Sequence, residues 1–150
     1  MGGYGSLSAT KGFVRIGTQF KTISPPGEYT NVSGNGINNL RQIVGVGDDT
    51  GFSYYHGQFK ALAVPGAIVS SPWGINDRGI IVGSYEKCSP CAFHGFVLRN
   101  GRYLSIDYPG AMETFASGIN YAGQIVGSYT FDQQTYHGFV TNPIASADLE

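Results

Sequence analysis

The tripeptide Gly-Ile-Asn stands at Gly36-Ile37-Asn38, Gly74-Ile75-Asn76 and Gly118-Ile119-Asn120, and each copy is followed by Ile-Val-Gly, beginning at Ile43, Ile81 and Ile125. Pro-Gly recurs at Pro26-Gly27, Pro65-Gly66 and Pro109-Gly110, and Gly-Phe at Gly12-Phe13, Gly51-Phe52, Gly95-Phe96 and Gly138-Phe139. Four markers kept in one order define an internal repeat of roughly 40 residues. The chain therefore reads as one domain, 1–150, with units over about 12–50, 51–94 and 95–137 and a partial fourth unit over 138–142. A unit this short cannot bury its own apolar face, so successive copies must pack on one another.

The best-preserved copy shows how each unit folds. Phe96–Leu98 and Tyr103–Tyr108 flank Arg99-Asn100-Gly101-Arg102, and Asn-Gly between β-prone runs is the signal of a two-residue hairpin. A second hairpin is predicted around Asn120-Tyr121-Ala122-Gly123, with Asn76-Asp77-Arg78-Gly79 at the same place one copy earlier. Arg41 stands where these copies have Gly79 and Gly123, a departure from the turn chemistry. Gly or Pro interrupts nearly every longer window, and no window shows helical apolar spacing. The expectation is an all-β chain of twelve or thirteen strands in about three four-stranded antiparallel meanders.

The string HGFVLRNGRYLSIDYPGAMETFASGINYAGQIVGSYTFDQQTYHGF resembles the bacterial extracellular repeat of the HAF type, whose pattern runs Gly-Phe, Asp-x-Pro-Gly-Ala, Gly-Ile-Asn, Ile-Val-Gly-x-Tyr and His-Gly-Phe. The resemblance covers about residues 12–142. It implies a secreted or surface location and propeller-like blades. Propellers usually close with about four to eight blades, so three units predict an open arc, completed by homodimerisation into a six-bladed ring. Gly138-Phe139-Val140 would then complete a blade begun near the N-terminus of its own or a partner chain. A β-trefoil or β-prism, closing as a 16.0 kDa monomer, is the alternative.

Nine basic against ten acidic residues give a net charge of −1, which supplies no broad field for nucleic acid or an anionic membrane. No apolar run suits membrane insertion, and Met1–Lys11 has no apolar core of a signal peptide. Cys88 and Cys91 are the only cysteines and form a candidate disulfide, with two free thiols as the other reading. With His94 they offer at most three metal ligands, so neither a metal nor a cofactor is expected. Asn38, Asn76 and Asn120 are read as structural repeat turns, each capping its turn or bonding the neighbouring blade. His94 and His137 precede Gly-Phe in matched positions, and periodicity favours a hydrogen-bonding role for them. With Tyr85, Tyr129 and Trp73 they are also the candidate ligand contacts, since polar-tipped aromatics serve at binding surfaces.

No nucleophile elbow, zinc-protease or phosphate-loop motif is present, and no catalytic residue is assigned. The sequence thus points to a non-enzymatic binding or scaffolding repeat module, homodimeric, holding a glycan or protein. The alternative is a polysaccharide hydrolase or lyase, with carboxylates among Asp48, Asp49, Asp107 and Glu113 converging in a central channel.

Overall fold

Each Gly-Ile-Asn run pairs with the Ile-Val-Gly run that follows it, and the Gly-Phe run joins as the next strand. In a computed structural model, residues 2–6 and 9–143 are described. They contain fourteen strands and no helix. The first sheet holds β1 (Gly2–Ser6), β2 (Ala9–Ile16) and β3 (Gln19–Ile23); the second holds β4 (Val32–Ile37), β5 (Ile43–Gly47), β6 (Thr50–Tyr55) and β7 (Gln58–Leu62). The third holds β8 (Val69–Ile75), β9 (Ile81–Glu86), β10 (His94–Arg99) and β11 (Arg102–Ile106), and the fourth β12 (Glu113–Ile119), β13 (Ile125–Thr130) and β14 (Tyr136–Val140). Every pairing is antiparallel between chain neighbours.

Sheets change at Pro-Gly. Gly66 and Gly110 have φ of 76° and 77°, and Ala67 N–H and Ala111 N–H close turns on the Val64 and Tyr108 carbonyls at 3.0 Å. This swings the chain off one sheet and onto the next, so sheets begin at the Gly-Ile-Asn strand while units counted from Gly-Phe begin half a repeat away. The result is four sheets where three meanders were expected, because residues 2–23 form a sheet of their own. Gly138-Phe139-Val140 lies in β14, which pairs with β13 as the edge strand of the fourth sheet. Among the described residues the sheets are open and separate, with no closed barrel of the kind a β-trefoil is built around.

Alternation along β5, β9 and β13 explains how the sheets stack. Ile43, Ile81 and Ile125 face the preceding sheet, and Val44 and Val82 face the following one, each inside an apolar cluster between sheets. The rings of Phe52, Phe96 and Phe139 lie over the third residue of Ile-Val-Gly: a Cβ on Gly83 would sit 2.6 Å from the Phe96 ring, so only glycine fits there. The Gly-Ile-Asn strands approach one another just as closely, a Cβ on Gly74 falling 3.1 Å from the Gly118 Cα of the next sheet. Each of these strands carries a β-bulge at the same place, between Gly34 and Gly36, Pro72 and Gly74, and Ala116 and Gly118.

The turns obey the sequence with one exception to their chemistry. Asn100 and Gly101 both take positive φ, as a two-residue hairpin requires. Gly79 and Gly123 close their turns at φ 73° and 91°, and Arg41 does the same at φ 63°. The hydrogen bond of the turn is conserved in all three copies, from Arg41, Gly79 and Gly123 N–H to the Asn38, Asn76 and Asn120 carbonyls. A side chain in this region costs about 1 kcal/mol or more, which glycine avoids.

Among the described residues the fourth sheet is the last of the stack, and its outer face shows in one residue. Val44 and Val82 are 0% exposed, whereas their counterpart Val126 is 49% exposed. Val82→Ala is expected to lower unfolding stability by about 2 kcal/mol through lost burial and a residual cavity, and Val126→Ala by less than about 0.5 kcal/mol. Urea denaturation in dilute solution compares the two; equal losses would mean that the sheets do not bury these faces.

Candidate functional site

The three repeated asparagines form a ladder along the stack. Asn76 Oδ1 accepts from Arg78 N–H and Ile80 N–H at 3.0 Å, holding its own hairpin, while its Nδ2 donates to the Asn120 carbonyl of the next sheet at 3.0 Å. Asn38 repeats this, accepting from Gln42 N–H at 2.9 Å and donating to the Asn76 carbonyl at 3.0 Å. Asn120 accepts from Gln124 N–H at 2.9 Å. These amides are committed to the fold.

The matched Tyr-His pairs come together, in unlike settings. The Tyr85 and His94 rings lie 5.5 Å apart at the junction of the second and third sheets. Tyr85 is 6% exposed and its hydroxyl donates to Ser105 Oγ at 3.1 Å. Ser105 donates on to Asp107 Oδ2 at 2.9 Å, and His94 Nδ1 meets Asp107 Oδ1 at 3.1 Å. Serine, histidine and aspartate are thus gathered, but in the wrong order for acyl transfer, which needs imidazole between hydroxyl and carboxylate. Here the carboxylate stands in the middle and ties β10 to the end of β11.

At the next junction Tyr129 and His137 lie 5.3 Å apart, and the residue corresponding to buried Val64 is Tyr108, which stacks on Tyr129 at 3.6 Å between centroids and 2° between planes. Phe131 meets Tyr129 edge-on at 5.4 Å. Phe131, Tyr108 and His137 are exposed, so this cluster presents an aromatic surface to solvent. The sequence gives no spacing signal for it, because Tyr108 precedes a linker and Phe131 opens a loop. Trp73 is the bulge residue of β8; its indole N–H donates to Ser84 Oγ at 3.1 Å, and it joins neither pair.

The carboxylates of Asp48, Asp107 and Glu113 are each occupied. Asp48 accepts from Thr30 N–H and Asn31 N–H at 3.2 and 2.9 Å, and the Asp49 carbonyl accepts from Ser70 N–H. Glu113 is buried and accepts from Tyr136 Oη at 3.2 Å and Gln133 Nε2 at 3.1 Å. No partner is shared among Asp48, Asp107 and Glu113. Cys88 and Cys91 are joined in a disulfide, and Cys91 N–H donates to the buried Glu86 carboxylate at 2.9 Å. Among the described residues no three His, Cys, Asp or Glu side chains are placed to hold a metal ion.

Two groups beside the aromatic surface are shifted. Backbone N–H groups of Thr135 and Gln134 hold the Asp132 carboxyl below its ordinary value, so this anion favours the β13–β14 loop above the usual carboxylate pKa and the benefit is lost as pH falls through the depressed one. Hydrogen bonding to Tyr108, followed by loss of solvent, raises the Tyr129 phenol. Its contribution to stability is therefore full below the ordinary phenol pKa of about 10 and is lost as pH rises through the higher folded value.

A cleft of about 440 Å³ lies at the opposite end of the sheets, between the first and second. Val14, Ile16, Ile37, Leu40 and Ile43 line it together with Lys21, Arg41 and Tyr54. Neither a protein-family model nor a curated protein matches this chain.

Two measurements test these assignments. Asn76→Ala leaves the buried Ile80 N–H without its acceptor and should cost about 3 kcal/mol in thermal or chemical unfolding; an unchanged melting point would show the ladder to be incidental. In alkaline titration followed by tyrosinate absorbance, Tyr108→Phe should bring the Tyr129 transition back toward the ordinary phenol value.

Proposed function

We propose that this chain is a non-enzymatic binding or scaffolding module of a secreted or surface protein, with a propeller-like stack of sheets as its frame. One observation carries the reading: of two matched Tyr-His pairs, one is consumed by packing and the other is opened into an exposed aromatic surface by Tyr108 and Phe131. Flat rings beside polar groups suit a pyranose face, so a glycan is the ligand we favour. The Cys88–Cys91 disulfide supports an oxidising location. The carboxylates of Asp48, Asp107 and Glu113 are engaged in bonds that hold loops and sheets, which favours binding over the hydrolase or lyase reading.

The frame also supports self-association. Val126 and Val140, 49% and 66% exposed, occupy positions that a following sheet covers in Val82 and Val97. A second copy continuing the internal stacking is the occupant that matches this surface, and it gives the homo-oligomer expected from the repeat. Twice four sheets replaces the six blades counted from sequence.

Screening against immobilised glycans, followed by titration of any hit, tests the ligand. Tyr129→Ala and Phe131→Ala should each weaken binding about tenfold, equivalent to a lost stacking contact, while Trp73→Ala leaves it unchanged. Release of new reducing ends from a polysaccharide would overturn the non-enzymatic reading. Light scattering should give a mass above the 16.0 kDa of one chain, reverting to it in Val126→Lys/Val140→Lys.

A further inference from the structure

The cleft between the first two sheets is lined by Arg15, Lys21 and Arg41 together with His56, and by no carboxylate. Nine basic residues against ten acidic would ordinarily leave such a group some compensation. The acid–base side-chain pair that the structure does show, His94–Asp107, lies at another junction. Lys21 Nζ reaches only Tyr54 Oη, at 3.4 Å. Between these cations the wall is apolar, and Ile16, Ile37 and Leu40 are each about half exposed around its mouth. Its volume lies within the range of roughly 300–1,000 Å³ usual for small-molecule sites.

A second copy of the same cleft, about 370 Å³ between the second and third sheets, serves as an internal control. Lys60 lines it as Lys21 lines the first, each within the repeated Gln-Phe-Lys of the last strand of its sheet, β7 and β3. Gly79 lines it where the first cleft has Arg41. Arg41 takes the left-handed turn that glycine fills in both other copies, at φ 63°, so a guanidinium is kept at this mouth against the preference of its backbone. Its backbone N–H closes the turn as Gly79 and Gly123 do, so the fold requires nothing of its side chain.

We propose that the cleft between the first and second sheets binds an amphipathic anion, its apolar body against Ile16, Ile37 and Leu40 and its anionic head between Arg41 and Lys21. The site is separate from the aromatic surface and stands without the glycan reading. Charge complementarity selects the head, since an unpaired cationic rim at a partly apolar wall favours an anion and opposes a cation. A carboxylate or a sulfate satisfies the same donors, and Arg41 offers either a two-pronged contact.

Titration with octanoate, octyl sulfate and octanol, read by NMR shifts of the Ile16, Ile37 and Leu40 methyls, tests the proposal. Both anions should move these methyls and octanol should bind at least about tenfold more weakly, with the Leu98 methyls of the control cleft unmoved. Arg41→Gly should weaken the anions about tenfold while raising the melting temperature, because glycine suits the turn; Lys21→Met, which keeps the apolar stem, should weaken them too. A response to octanoate but not octyl sulfate would assign the head to a carboxylate, and equal response to both would leave the shared anionic chemistry as the determinant; either supports the site. Binding of octanol as tight as the anions, or anion binding unchanged in Arg41→Gly/Lys21→Met, overturns it. Loss of glycan binding in Tyr129→Ala says nothing of this cleft, so the two readings fail separately.

Discussion

The carboxamide of Asn38 reaches the carbonyl of Asn76, and that of Asn76 reaches the carbonyl of Asn120, both at 3.0 Å. This spacing sets the rest of the molecule. Hairpins one hydrogen bond apart bring their strands to backbone contact, which excludes a side chain at Gly36, crowds one at Gly74 and makes the sheets share apolar clusters. Because the oxygen of the same amide closes its own hairpin, the turn and the stack are fixed together. Hydrophobic burial supplies most of the energy, as it does generally, but the amide decides the register at which that burial occurs.

The ladder holds its spacing although the repeat does not. Gly-Ile-Asn advances by 38 residues from Gly36 to Gly74 and by 44 from Gly74 to Gly118. The difference falls entirely between Ile-Val-Gly and Gly-Phe, where Ile81 to Gly95 is six residues longer than Ile43 to Gly51. These residues leave the sheets as the loop between β9 and β10, closed by the Cys88–Cys91 disulfide and by the bond from Cys91 N–H to Glu86. An insertion at a hairpin end costs little and leaves the inner strands in place.

Local features of the sequence translate well into structure because each has a short-range cause. Asn100-Gly101 makes its turn since both residues tolerate positive φ, and the repeated Asn caps its hairpin through a side chain of the right length. The phase of the sheets is less legible, since a periodic sequence has no origin: Gly-Phe and Gly-Ile-Asn open equally good meanders until the Pro-Gly linkers are seen to change sheets. β1, written Gly-Gly-Tyr-Gly-Ser, has no apolar alternation to reveal it. Tyr85 and Tyr129 are indistinguishable within their Ile-Val-Gly-Ser-Tyr strands, yet one is buried and the other stacked on Tyr108. The decision lies with a linker residue more than twenty positions away, Val64 in one junction and Tyr108 in the other.

Repetition itself separates the structural residues from the others. Where all copies agree, as at the asparagines, at Gly83 and its counterparts and at the buried isoleucines, the residue answers to a stacking constraint that recurs at every junction. Where the copies differ at a position that the fold treats alike, the stacking constraint cannot be the reason. Arg41 makes the same turn bond as Gly79 and Gly123 and pays backbone strain to do so; Tyr108 caps a strand as Val64 does and gains an exposed ring. Both departures lie on surfaces that open to solvent, at opposite ends of the sheets. A stack of near-identical units thereby acquires individual sites without disturbing its frame, because at hairpin ends and linkers a copy is free to differ from its neighbours.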